Sequence, residues 1–157
     1  MNDDNNELTY GDIEQMYLAL KSPQLAAVSP TKHTVKFFYA CNINARRILP
    51  CVLAADEPLK EYSEKVAKVQ RETVGDERTA AIADLNKEYS DELDQKNIIR
   101  GEKVDVKLHM VDFETLPEVE WGVLAPLMPF VRKPREDEPN EKVGDSGNCD
   151  AGSVHDA

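Results

Sequence analysis

The chain has 157 residues, 41% of them hydrophobic and 31% charged, which favours one domain with its own core and a large solvated surface. Acidic residues outnumber basic ones by 30 to 19, for a formal net charge of −11, so phosphate backbones and anionic membranes are repelled. The longest basic pairings are Arg46-Arg47 and Arg132-Lys133, too short for a nucleic-acid footprint. Neither direct nucleic-acid binding nor membrane binding is expected.

Residues 1–7 are polar and read as a disordered N-terminus. Thr9 and Asp12 then have capping-box spacing, with Asp in place of the usual Glu or Gln. Ile13, Met16, Tyr17 and Leu20 repeat at helical spacing and predict a short N-terminal helix. Ser22-Pro23 ends it, because proline disfavours helix in the residue before it. Leu25–Val28 is a short apolar patch before a second break at Ser29-Pro30.

The most informative stretch runs from about Thr31 to Thr73. Phe38, Cys41, Ala45, Ile48, Val52, Ala55, Leu59, Tyr62, Val66 and Val69 are separated by alternating steps of 3 and 4. Such a seam predicts a long helix packed along a partner helix. Pro50 and Pro58 interrupt it without changing its phase, so one kinked helix is expected, with two or three shorter helices in line as the alternative. Val74-Gly75-Asp76 reads as a stop, a turn and a start, with Gly75 as a left-handed cap and Asp76 as the next N-cap. Ile82, Leu85, Tyr89 and Leu93 then predict a second helix from Glu77 to about Lys96, antiparallel to the first because the turn is short.

After Asn97 the period changes. Val104, Val106, Leu108 and Met110 alternate with Asp105, Lys107 and His109, the pattern of a half-buried strand. Its mate is left open between the Leu8-Thr9 segment, Ile98-Ile99 and a second subunit. Glu118–Val131 is dense in large apolar residues and punctuated by Pro126 and Pro129; a short helix and an irregular closing segment are expected. The last 24 residues hold seven acids and two bases and read as a disordered acidic tail. The predicted fold is mainly α: a long kinked helix in an antiparallel helical hairpin, a short N-terminal helix and a minor β element. Residues 8–133 form the single domain.

Recognisable chemistry is sparse. Cys41, Cys51 and Cys149 make an odd count without CxxC spacing, and the first two fall in apolar runs, as reduced buried thiols do. His33, His109 and His155 lie apart, without the clustering that zinc requires. No phosphate-binding glycine loop or GxSxG elbow is present. No catalytic, cofactor-binding or metal-ligating residue is assigned, and no cofactor is expected. The polar, acidic start and the lack of a long apolar run point to the cytoplasm.

Two features are candidate protein-binding surfaces. Trp121, Leu124, Leu127 and Phe130 form an apolar cluster of interface type, although core closure is the commoner use. Glu88, Asp91 and Glu92 belong to an acidic helix face, which ordinary solubilising charge also explains.

The succession "LTYGDIEQMYLAL", "VKFFYACNINARRILPCVLAADEPLKEYSEK", "VDVKLHMVDFETLP" and "LAPLMPF" resembles small uncharacterised proteins of tailed bacteriophages. In those a helix pair precedes a strand ending in leucine-proline and a closing Leu-x-Pro-Phe. The likeness spans residues 8–131; Pro58 and the acidic tail depart from it. It carries no catalytic residues. It implies a viral accessory protein, non-enzymatic, acting on a host or viral protein in the host cytoplasm. The alternatives are a virion structural or assembly component that forms a homo-oligomer, and an acidic nucleic-acid mimic that inhibits a host defence enzyme. An unrecognised enzyme with a site assembled from distant residues is a further alternative.

Overall fold

The computed structural model describes residues 7–134, and the fold is mainly α-helical. The readings for residues 1–6 and for the acidic tail from 135 lie outside the described residues. β1 (Leu8–Thr9) leads directly into α1 (Tyr10–Leu20). The capping box forms as the spacing predicts. The Asp12 amide donates to Thr9 Oγ1 at 3.2 Å, and the Thr9 amide donates to Asp12 Oδ2 at 2.9 Å, satisfying two otherwise orphaned donors. α2 (Pro23–Ala26) is a single turn capped by Ser22, and it inserts Leu25 into the core.

α3 (Val35–Asp56) keeps Pro50 inside one continuous helix. Pro58 instead falls in a 3-10 turn over Glu57–Leu59, and α4 (Lys60–Glu72) resumes beyond it. Residues 35–72 are thus one long joined helix. Its buried face differs from the seam in one respect. Phe37, Ala40 and Asn44, one step ahead of the seam positions, are fully buried beside Cys41, Ile48 and Val52. A coiled-coil seam contacts one partner, whereas α3 meets α1 on one side and the 111–115 segment on another. Its buried face is correspondingly wider.

α5 (Gly75–Glu88) and α6 (Ser90–Gly101) replace the single predicted second helix. The break lies at Tyr89, which is buried and whose ring rests against Tyr62 at 5.7 Å. α5 packs on α4, and α6 packs on α1 and the 57–59 turn. At the α4–α5 turn Gly75 has φ +61°, the left-handed conformation that a side chain disfavours. The N-cap of α5 is Val74 rather than Asp76, with no side-chain cap. The exposed carbonyls of α4 are met from α5: Arg78 donates to the oxygens of Thr73 and Gln70, a favourable use of a cation at a helix C-terminus.

The predicted strand at 104–110 is shorter than its alternation implied. Only β2 (Lys103–Val104) pairs in a sheet, antiparallel to β1 with Leu8 opposite Val104. Residues 105–110 belong to no helix or strand. The alternation holds as burial from 104 to 108, where Val104, Val106 and Leu108 are half-buried while Asp105 and Lys107 are exposed; it fails at the end, where His109 is half-buried and Met110 exposed. Side chains of α3 supply the missing hydrogen bonds. Fully buried Asn44 donates from Nδ2 to the His109 carbonyl at 3.0 Å and accepts from the His109 amide at 2.7 Å. Arg47 donates to the Lys107 carbonyl at 2.9 Å. One amide side chain satisfies both backbone groups of a residue, as a neighbouring strand would.

β3 (Val111–Asp112), a 3-10 turn (Phe113–Thr115), α7 (Trp121–Leu124), a second 3-10 stretch (Ala125–Phe130) and β4 (Val131–Arg132) complete the chain. β3 and β4 pair in parallel, with Val111 opposite Val131 and Asp112 opposite Arg132. The core gathers Ile13 and Met16 of α1, Phe37 and Ile48 of α3, and Leu124, Leu127 and Phe130 from the closing segment. Phe37 and Phe130 stack at 6.1 Å. A charged cluster joins three helices beneath α1. Buried Lys96 pairs with Asp56 and lies 3.9 Å from Glu14, and Arg100 Nε sits 3.1 Å from Glu14 Oε2. Gly11 lets α6 approach, since a Cβ there would lie 3.2 Å from the Arg100 carbonyl. No helix among the described residues is long and apolar enough to cross a membrane.

Candidate functional site

A cleft of about 360 Å³ lies between the first turns of α3 and the 109–115 segment. α3 contributes Lys36 and Tyr39, three residues apart and therefore neighbours on one helix surface. The opposite wall is held by the Asn44 fork, which fixes the backbone of His109 and so presents its ring to the cleft. The Tyr39 and His109 rings meet edge to face at 5.7 Å and 82°, a favoured aromatic geometry. Tyr39 is nevertheless 60% exposed, and nearby Phe113 and Met110 are 43% and 37% exposed.

The floor is set by the β3–β4 register. Val111 and Val131 point into the core, which leaves their successors Asp112 and Arg132 at the surface side by side. Arg132 Nη1 lies 3.4 Å from Asp112 Oδ1, a long contact of a kind that contributes little at an exposed site. Thr115 Oγ donates to the Asp112 carbonyl at 2.7 Å and closes the turn beside them. The cleft thus combines exposed aromatic and thioether surface with two cations and one carboxylate. Its volume is at the small end of the roughly 300–1,000 Å³ typical of ligand pockets.

A second, smaller hollow of about 180 Å³ lies among Tyr10, Ala54, Ala55, Ile99 and Glu102. It presents one carboxylate and mostly small or apolar surface. Burial pushes the Cys41 thiol up to about 12, which marks it as inert core rather than a nucleophile. Among the described residues no three of His, Cys, Asp and Glu gather as metal ligands do.

The residues singled out in the sequence are dispersed. Leu124, Leu127 and Phe130 are buried in the core, while Trp121, at the start of α7, is 61% exposed. The acidic trio sits at the α5–α6 junction. Glu88 is held by Lys65 at 3.0 Å, Asp91 is exposed, and Glu92 is half-buried. Lys36, Tyr39, Asp112 and Arg132 carried no comparable signal. Their proximity depends on a parallel pairing between two-residue strands about twenty positions apart. The one cue was an exposed-type pair, Lys36 and Tyr39, at helical spacing beside the seam. No protein-family model, curated protein or solved structure matches the chain.

Proposed function

We propose that this is a non-enzymatic interaction protein that engages a protein partner through the cleft between α3 and the 109–115 segment. The observation that carries this reading is the exposure of Tyr39 and Met110 in the lining of one concavity. Aromatic and methionine side chains are enriched where proteins bind one another. The tailed-phage resemblance supports an accessory role against a host or viral target. The architecture that goes with it is a kinked long helix whose outer part, α4, folds against α5 as an antiparallel hairpin. In support, Glu61, Tyr62 and Gln70 of the first helix of that hairpin meet Tyr89, Asn86 and Arg78 respectively, so partner numbers fall as α4 proceeds.

Affinity capture with the natural chain and a Tyr39→Ala variant tests the reading. Tyr39 is largely exposed, so the variant is expected to keep its melting temperature. A partner held by the natural chain should bind roughly thirtyfold more weakly to the variant, the effect of losing an aromatic hot spot of about 2 kcal/mol. Equal retention by both proteins removes the cleft from the interaction.

A second reading, an assembly component that self-associates, draws on the α4–α5 pair, in which no residue is fully buried and Val74 at the turn is 75% exposed. Light scattering over a concentration series checks it; a constant monomer mass at high concentration excludes it.

A further inference from the structure

We infer that the ligand of the α3/109–115 cleft is an acidic peptide segment with an apolar side chain beside its carboxylates, read by Lys36 and Arg132. This rests on the interaction reading above and names the chemistry of its partner.

Charge is the first argument. The chain as a whole carries −11, yet the cleft lining holds Lys36 and Arg132 against the single carboxylate of Asp112. A local excess of positive charge in an acidic protein is where an acidic partner can land without crossing its general repulsion. Lys36 takes part in none of the ion pairs among the described residues, which occupy Lys65, Lys96, Arg100, Lys103 and Arg132.

Geometry is the second. Arg132 touches Asp112 only through Nη1, at 3.4 Å. A guanidinium has five N–H donors in a fork matched to a carboxylate, so most of that fork is available to an incoming acid. The β3–β4 register holds the Arg132 backbone in place, which reduces the ordering needed on binding. Tyr39, braced by His109, and the deformable Met110 supply the adjoining apolar surface. A cleft of about 360 Å³ suits one anchor side chain rather than an extended groove.

A nucleic-acid phosphate is the competing anion, and it fits less well. A strand carries a regular run of charges past the rest of the surface, where the excess acids repel it. A peptide with two or three acids brings its charge to the cleft alone.

Selection of a random dodecapeptide library on the immobilised full chain, followed by fluorescence anisotropy of the enriched peptides, tests the inference. Expected are peptides with paired acids beside an aromatic or aliphatic residue. Their affinity should fall about tenfold or more on Arg132→Gln, less on Lys36→Gln, and again when the peptide glutamates become glutamines. Lys36 and Arg132 are exposed, and an unchanged thermal melt shows that the variants fold. Peptides that require Tyr39 but show no acid enrichment, and that ignore both cation variants, overturn the inference and leave the interaction cleft standing. Peptides indifferent to Tyr39→Ala as well overturn both. Tighter binding of a thymidine oligonucleotide than of any acidic peptide assigns the cations to phosphate and also overturns it.

Discussion

The body of the protein and its α4–α5 pair are built from similar helices but held by different forces. In the body, α1, α3 and the closing segment bury Ile13, Met16, Phe37, Ile48, Leu127 and Phe130 completely. In the pair no side chain of α4 or α5 is fully buried. Tyr62, Val66, Val69, Ile82 and Leu85 reach only half-burial, and polar contacts do much of the rest. Tyr62 donates to Asn86 at 2.7 Å, Tyr89 to Glu61 at 2.8 Å and Lys65 to Glu88 at 3.0 Å. The lesson is that the same 3–4 repeat describes both a core helix and a two-helix zipper. Periodicity gives a face its direction, and only the number of surrounding layers sets how dry it becomes.

The sharpest way to break this comparison is a matched pair of truncations. Phe37→Ala should cost about 3–5 kcal/mol, because the ring is fully buried and stacked on Phe130. Val66→Ala in α4 should cost only about 1 kcal/mol, because that side chain is half-buried. Urea denaturation measures both, and equal costs would mean that the two regions are one cooperative core.

Thiol labelling sharpens the contrast without mutation. With the Cys41 thiol pushed up to about 12, its thiolate at pH 8 is roughly a thousandfold scarcer than that of an ordinary cysteine. Alkylation followed by peptide mapping should therefore modify half-buried Cys51 long before Cys41. Labelling of Cys41 at the rate of Cys51 would show that the body opens locally.

Asn44→Ala is the next smaller effect. It leaves the amide and carbonyl of His109 without their partner, at a cost of about 1–3 kcal/mol. Hydrogen exchange should show the His109 amide losing protection while α4 and α5 are unchanged. Loss of protection in α4 as well would tie the two regions together.

Mild acid should produce the smallest effect, confined to the pair. The Tyr89 hydroxyl, and then Lys65, hold the Glu61 carboxyl below the usual range. A lowered folded-state value stabilises fully above the ordinary carboxylate value and is lost as pH falls through the lowered one. Below about pH 4.5 signals of Tyr62 and Tyr89 should change while fluorescence of Trp121, which lies in the body, stays constant. Glu61→Gln should abolish the early change, and its persistence in that variant would assign it to another acid.

The long joined helix, the 3-10 turn at Pro58, the Thr9–Asp12 box and the left-handed Gly75 were legible because each is a local rule. The break at Tyr89 was not, because Tyr89 continues the apolar repeat and is diverted by contacts with Tyr62 and Glu61 on another helix. The strand at 104–110 was half legible. Its alternation gave the burial of residues 104–108 but not of His109 and Met110, and alternation does not say whether a sheet or a helix lies beneath. That answer depends on Asn44, a polar residue in an apolar run, whose partner is 65 residues away. The candidate cleft was hidden for the same reason: the Asp112–Arg132 adjacency arises from register, and register is a property of two segments together.

The ion pair between Asp56 and Lys96 joins the end of α3 to the middle of α6, on either side of everything between. It is a clasp across the root of the α4–α5 pair. Because the clasp belongs to the body, the span it closes can change length without moving either end, and closure entropy grows only slowly with the residues enclosed. The α4–α5 pair is thereby a modular appendage, whose length in whole turns can change while the body and the cleft keep their geometry.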